Sequence, residues 1–175
     1  MRSNLVLTLI GDDRPGLVDA LSEAIATHGG NWEESRMAHL AGKFAGVLRV
    51  SLPSDAQPAL EAALSELEGR RGLRIVVESS ERVGGGAELQ RMRLEVVGND
   101  HEGIVRDLAH ALAARKINVE ELQTSTEDAP MAGGQLFKAT VMLGMPAGVS
   151  ADALRDTLED LADDLMVDVH LDPVD

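Results

Sequence analysis

The sequence predicts an α+β protein built from two copies of one small unit, and three observations carry that reading. Gly11-Asp12-Asp13-Arg14-Pro15-Gly16 stands between an apolar alternating run, Leu5 to Ile10, and an amphipathic helical pattern. The same punctuation returns 87 residues later as Gly98-Asn99-Asp100-His101-Glu102-Gly103, with identities at Gly11, Asp13, Gly16, Val18, Leu21, Ala24, Ala26, Asn31, Glu33 and Glu34. A period this long marks a duplicated domain rather than a solenoid repeat. The third observation is the order of elements inside each copy.

In the first copy the strand over Leu5 to Ile10 is apolar on both faces, so both are expected to meet something. Leu17, Val18, Leu21 and Ile25 then fall on one helical stripe, opposite Asp19, Glu23 and His28. Gly29-Gly30 ends that helix, since glycine accepts the left-handed conformation of a helix terminus. Asn31 and Trp32 open a strand to about His39; Ala41-Gly42-Lys43 turns it, and Phe44 to Leu52 returns as a hairpin. Pro53-Ser54-Asp55 starts a second helix with Leu60, Leu64 and Leu67 on its apolar side, and Gly69 and Gly72 bracket its end. Leu73 to Val77 is the fourth strand, with Leu73, Ile75 and Val77 inward.

Strand, helix, strand, strand, helix, strand is the order of a ferredoxin-like unit, an antiparallel four-stranded sheet with two helices on one face. The other face has no helix to cover it, which favours self-association or packing between the halves. The expected domains are 1–82 and 90–175, joined by a glycine-rich linker over 83–89, because Gly84-Gly85-Gly86 cannot hold a helix or strand cheaply. The second copy runs through Arg91 to Gly98, a helix on Ile104, Val105, Leu108 and Leu112, and Asn118 to Thr126. Its offset then grows from 87 to 93, which places a six-residue insertion in 127–134, either a surface loop or a lid or partner contact. Leu154, Leu158 and Leu161 mark the last helix, and Met166 to Leu171 the last strand.

Composition narrows the function. The 175 residues carry a formal net charge of -14, which argues against direct nucleic-acid binding, since that rests on Lys and Arg displacing counterions. Hydrophobic residues make up 44% but aromatics only 2%, so Trp32, Phe44 and Phe137 are the only large rings in cores of Leu, Val, Ile, Ala and Met. With no cysteine there is no disulfide, thiolate nucleophile or Cys-ligated zinc. The apolar start, Met1 to Ile10, is too short for a signal peptide and no uncharged stretch nears the roughly 20 residues of a membrane span, so a soluble cytoplasmic protein is expected. The five histidines show no metal-ligand spacing, and no Gly-x-Ser-x-Gly elbow or other nucleophile-base pair is visible; neither catalysis nor a cofactor is expected. The acidic run Asp156 to Asp164 reads as a solvated helix face, or as a contact for a basic partner.

The repeated turn has two readings. Asp13 can cap the following helix and Pro15 suits its first turn, which makes a tight capped corner. Alternatively, glycines on both sides let another molecule reach the backbone, and free N–H groups at a helix head favour a small carboxylate. Asn31 and Asn118 follow each first helix at the same separation, beside the helix origin or at a subunit edge. An amide there can accept from an ammonium and donate to a carboxylate.

Gly11-Asp12-Asp13-Arg14-Pro15-Gly16-Leu17-Val18 followed by Gly29-Gly30-Asn31 resembles the signature of ACT domains, ferredoxin-like regulatory modules that bind amino acids. The tandem arrangement without an attached enzyme, with Asn99-Asp100-His101, Gly103-Ile104-Val105 and Ala129-Pro130-Met131-Ala132-Gly133, resembles the glycine cleavage system transcriptional repressor family. The resemblance implies an amino-acid effector, glycine by analogy, held between paired modules. Its contacts would be Asp13, Arg14, Pro15, Gly16, Leu17 and Asn31 in the first copy, and Asp100, His101, Gly103, Ile104 and Asn118 in the second. It also implies control of glycine cleavage genes through a transcriptional activator as protein partner. The alternative reading is a regulatory subunit that tunes a metabolic enzyme. Glu102 stands where the first copy has Pro15, and a carboxylate at a helix head repels an incoming anion, which favours the first copy as the ligand site.

Overall fold

The computed structural model describes residues 1–80, 89–129 and 133–174. Most of the expected linker and the Pro130-Met131-Ala132 part of the insertion therefore lie outside the described residues. Two compact units, Met1–Gly84 and Gly85–Asp175, make up the chain.

The first unit runs β1 (Arg2–Asp12), α1 (Leu17–Thr27), β2 (Asn31–Leu40), β3 (Lys43–Pro53), a 3-10 turn over Ser54–Ala56, α2 (Gln57–Arg71) and β4 (Leu73–Ser79). Its sheet is antiparallel in the order β2-β3-β1-β4. The second unit repeats it as β5 (Gln90–Asn99), α3 (Ile104–Ala114), β6 (Asn118–Asp128), β7 (Gln135–Met145), α4 (Ala151–Leu165) and β8 (Val167–Pro173), in the order β6-β7-β5-β8. This is the ferredoxin-like fold expected from the sequence, present twice.

Alternation decides which face of each sheet receives the helices. Leu5, Leu7 and Leu9 of β1, with Leu48, Val50 and Leu52 of β3, are buried against Leu17, Leu21 and Ile25 of α1 and Leu60 and Leu64 of α2. Met92, Leu94 and Val96 of β5 meet Leu108 and Leu112 of α3 and Leu154 and Leu158 of α4 in the second core. A buried leucine of this kind stabilises the fold by about 2 kcal/mol, so the repeated stripes account for most of each core.

The faces without helices differ between the units. Thr8 pairs with Val47 and Val76, and the exposed hydrophobics Ile10, Val47 and Val76 lie on one open face. At the corresponding place Glu95 pairs with Thr140 and His170, and Arg93 lies beside Asp172 and 3.0 Å from Glu95.

Several expectations need correction. β1 runs past Ile10 through Gly11 and Asp12, because β3 continues to pair with it as far as Lys43. Val18 and Val105, expected on the buried stripes, are 46% and 39% exposed; the stripe follows Leu17, Leu21 and Ile25, and Val18 flanks it at the first turn. Met166 is not in a strand but ends α4 in the left-handed conformation, with φ 53°. Glu127 and Asp128 belong to β6, and Ala129 N–H donates to Gly134 O (3.0 Å), so strand pairing runs into the segment expected as a loop.

Candidate functional site

The β1–α1 corner lies where the chain leaves β1 and enters α1. Pro15 precedes the cap and is not in the first turn of α1 as the sequence suggested, and Gly16 turns the chain with φ 85° in the left-handed region. Asp13 N–H donates to Gly42 O (3.0 Å), which ties the corner to the β2–β3 turn. The Asp13 carboxylate does not cap α1, contrary to the sequence reading; it lies 3.7 Å from His39 Nε2 instead, and Gly16 occupies the cap position without a side-chain bond. The first intrahelical bond is Ala20 N–H to Gly16 O (3.0 Å), so the helix makes no use of the N–H groups of Leu17, Val18 and Asp19.

Charges surround this opening. Lys43 Nζ donates to Asp12 Oδ1, and Arg14 lies 3.8 Å from the same carboxylate. The Lys43 hydrogen bond and charge hold the Asp12 carboxyl below its usual range. A Cβ on Gly16 would meet only Arg71 Nη1, at 4.0 Å, so the helix head is open. The Leu17 side chain, in contrast, is buried in the core, which leaves only its backbone N–H to serve a ligand.

The second corner has the same backbone and a different covering. Asp100 N–H donates to Gln135 O (2.8 Å), Gly103 takes φ 97°, and Asp107 N–H donates to Gly103 O (2.9 Å). Here two of the chain's own exposed side chains stand beside the corner. Arg106, held to Asp107 at 2.7 and 3.2 Å, places Nη2 3.0 Å from where a Cβ on Gly103 would stand. His101 spans from Glu102 O (Nδ1, 3.1 Å) to Leu165 O (Nε2, 3.0 Å). Those two carbonyl contacts, the Glu102 one largest, raise its pKa above the ordinary 6.5. The Ile104 side chain is buried like that of Leu17.

Asn31 and Asn118 do not lie beside these corners. Asn31 pairs with Ser51, and Ser51 with Asn4 near the start of β1, whereas the corner follows Asp12, which pairs with Lys43. Eight residues of β3 separate the two levels, about 26 Å along a strand. Asn118, paired with Gly144, is likewise at the far end from Asn99 and Leu136. The first helix carries the chain back along the sheet before either asparagine is reached, which leaves each at the start of an outer strand, β2 or β6. Sequence reasoning missed His39, Lys43, Arg71 and Arg74 at the first corner. The β1–β3 and β1–β4 registers bring Lys43 and Arg74 there, the β2–β3 register brings His39, and the end of α2 brings Arg71; no local motif signals any of these.

The ACT domain family model matches residues 3–78, the whole of the first sheet and its helices. Over 149 residues the chain is 26% identical to the glycine cleavage system transcriptional repressor of Escherichia coli (strain K12), covering 85% of this chain and 77% of that protein; the Shigella flexneri protein of the same name matches equally. A crystal structure of an unknown protein from Galdieria sulphuraria is 32% identical and covers all of both chains, with a TM-score of 0.84. The first unit matches the ACT domain model, and the chain as a whole is similar to glycine cleavage system transcriptional repressors. A crystal structure of a candidate glycine cleavage system transcriptional repressor, 20% identical over 99% of this chain and 98% of that one, shows the same tandem ACT fold at a TM-score of 0.75. Among the described residues no helix is long and apolar enough to cross a membrane, and no group of three or more His, Asp or Glu side chains could hold a metal ion.

Proposed function

We propose that this chain is a non-enzymatic, cytoplasmic regulator that senses an amino acid, glycine by analogy with its relatives, and represses glycine cleavage genes through a protein partner. The observation that carries the reading is the helix head at Gly16, where the N–H groups of Leu17, Val18 and Asp19 lie outside the helix ladder and a Cβ on Gly16 would meet only Arg71 Nη1 at 4.0 Å; a head of this kind favours a small carboxylate. The second corner, flanked by Arg106 and His101, serves as structure. Asn31 lies too far from the Gly16 corner of its own unit to share a ligand with it. It acts in sensing only where its edge strand is set beside the corner of a second copy of the chain.

A net charge of -14 favours a partner protein over DNA as the target. Calorimetric titration of the full chain with each common amino acid tests the sensor: saturable binding of glycine or a close relative is expected, and no heat from any of them overturns it. Affinity capture from native lysate with and without glycine tests the output. A transcriptional activator retained in a glycine-dependent manner supports it, whereas tight, salt-sensitive binding of purified protein to operator DNA counts against it.

A further inference from the structure

Beside the first corner, on the open face of the first sheet, is a cavity of about 410 Å³ with Ile10, Asp12, Lys43, Gly72 and Arg74 in its wall. Its volume is in the range of small-molecule sites. The wall includes none of the residues from Asp13 to Leu17, so the cavity is distinct from the helix head argued above.

Its electrostatics run against the rest of the chain. Lys43 and Arg74 line it, Arg14 reaches Asp12 from the turn, and Arg71 reaches toward Gly16. Four cations thus gather around two carboxylates, Asp12 and Asp13, in a protein whose formal net charge is -14. Asp12 is already shared between Lys43 and Arg14, and Asp13 faces His39. Among the described residues neither Arg71 nor Arg74 has a carboxylate within ion-pair distance, and Arg74 is exposed at the cavity wall.

The second unit makes the contrast specific. Asp12 pairs with Lys43, and at the same place Asn99 pairs with Leu136; Ile10 pairs with Arg74, and at the same place Val97 pairs with Asp168. Arg14 gives way to His101, and Arg71, the last residue of α2, to Leu165, the last residue of α4. Three of the four cationic positions become neutral or acidic where the backbone is otherwise repeated, and the fourth becomes a histidine. A requirement of the fold would have appeared in both copies.

We infer that the cavity walled by Lys43, Gly72 and Arg74 is a binding site for a small dianion, a dicarboxylate or a phosphate monoester. Arg74 supplies the planar, bidentate donor such groups take, and Lys43 supplies a second charge from the neighbouring strand. Glycine carries one carboxylate and no net charge, so it matches the backbone donors of the helix head better than this cationic wall. The two positions therefore take ligands of different charge, and occupation of one does not require the other.

Inorganic phosphate and succinate are the probes, titrated into the full chain labelled with nitrogen-15. Saturable shifts of the Gly11, Gly72 and Arg74 amides are expected with at least one of them, and the affinity falls as salt is added. Arg74→Ala weakens that binding about tenfold or more, as loss of a charged hydrogen-bond donor does, while Arg115→Ala leaves it unchanged. Binding of phosphate alone identifies a phosphorylated ligand, and binding of succinate alone or of both identifies a carboxylate site. The inference is overturned if neither probe saturates, if the shifts fall elsewhere, or if Arg74→Ala has no effect with an unaltered melting temperature. Glycine binding is read separately at the Val18 and Asp19 amides, so failure of one site leaves the other legible.

Discussion

His101 Nε2 lies 3.0 Å from the carbonyl oxygen of Leu165, the last residue of α4, while Nδ1 of the same ring lies 3.1 Å from Glu102 O. A neutral imidazole donates through one nitrogen only; the cation donates through both. The cation also completes a helix C-terminus, where positive charge is favoured.

The folded-state pKa of His101 is therefore raised above 6.5, chiefly by the Glu102 carbonyl and then by that of Leu165. A raised histidine pKa contributes stability that is fully present below the unfolded value and is lost as pH rises through the folded value. Denaturant melts of the wild type and His101→Gln across that range are expected to differ most on the acid side and to converge at alkaline pH. A pH-independent difference would assign the residue a packing role only.

Gly11 and Gly98 are expected to resist substitution for a reason unrelated to ligand approach. A Cβ on Gly11 would meet Leu73 Cδ2 at 2.8 Å and Gly72 O at 2.9 Å, and one on Gly98 would meet Val167 Cγ1 at 2.6 Å and Val167 Cα at 2.8 Å. Backbone cannot yield as a side-chain tip can, so Gly11→Ala and Gly98→Ala are each expected to cost about 1–3 kcal/mol in chemical denaturation. An unchanged midpoint for either would show that β4 or β8 shifts aside freely.

These glycines show what was legible in the sequence. Their repetition announced the corner correctly, but the reading of Gly11 as turn punctuation was local, whereas its cause is contact with β4 more than 60 residues later. The element order and the helical stripes follow from periods of 2 and 3.6 that short stretches carry in full, and the two units from the 87-residue repeat. Asn31 was misplaced along the sheet because equal spacing from two turns fixes sequence separation, not which end of a strand a residue occupies. Lys43 and Arg74 had no signal at all, since only antiparallel register sets them level with Asp12 and Ile10.

Met166 ends α4 with φ 53° at the place where Gly72 ends α2 with φ 67°, and its side chain is 76% exposed. A left-handed conformation is unfavourable for a side chain and free for glycine, and so exposed a methionine contributes little packing to lose. Met166→Gly is expected to stabilise the second unit by about 0.5–1 kcal/mol, seen as a higher denaturation midpoint. Loss of stability would mean that Met166 is covered in solution.

Pro15 and Glu102 occupy the same place in the two copies, and exchanging the chemistry separates binding from folding. Pro15→Glu sets a carboxylate at the head of α1, where it favours the helix by about 0.3–1 kcal/mol and opposes a bound carboxylate. Repulsion of about 1 kcal/mol or more at 4 Å corresponds to at least about fivefold weaker amino-acid binding. Calorimetry is expected to show that loss while the denaturation midpoint holds or rises, a pair of opposite signs that a damaged fold does not produce. The reverse exchange, Glu102→Pro, is expected to create no site, because His101 still spans the carbonyls of residues 102 and 165. Undiminished binding in Pro15→Glu would place the effector somewhere other than the Gly16 corner.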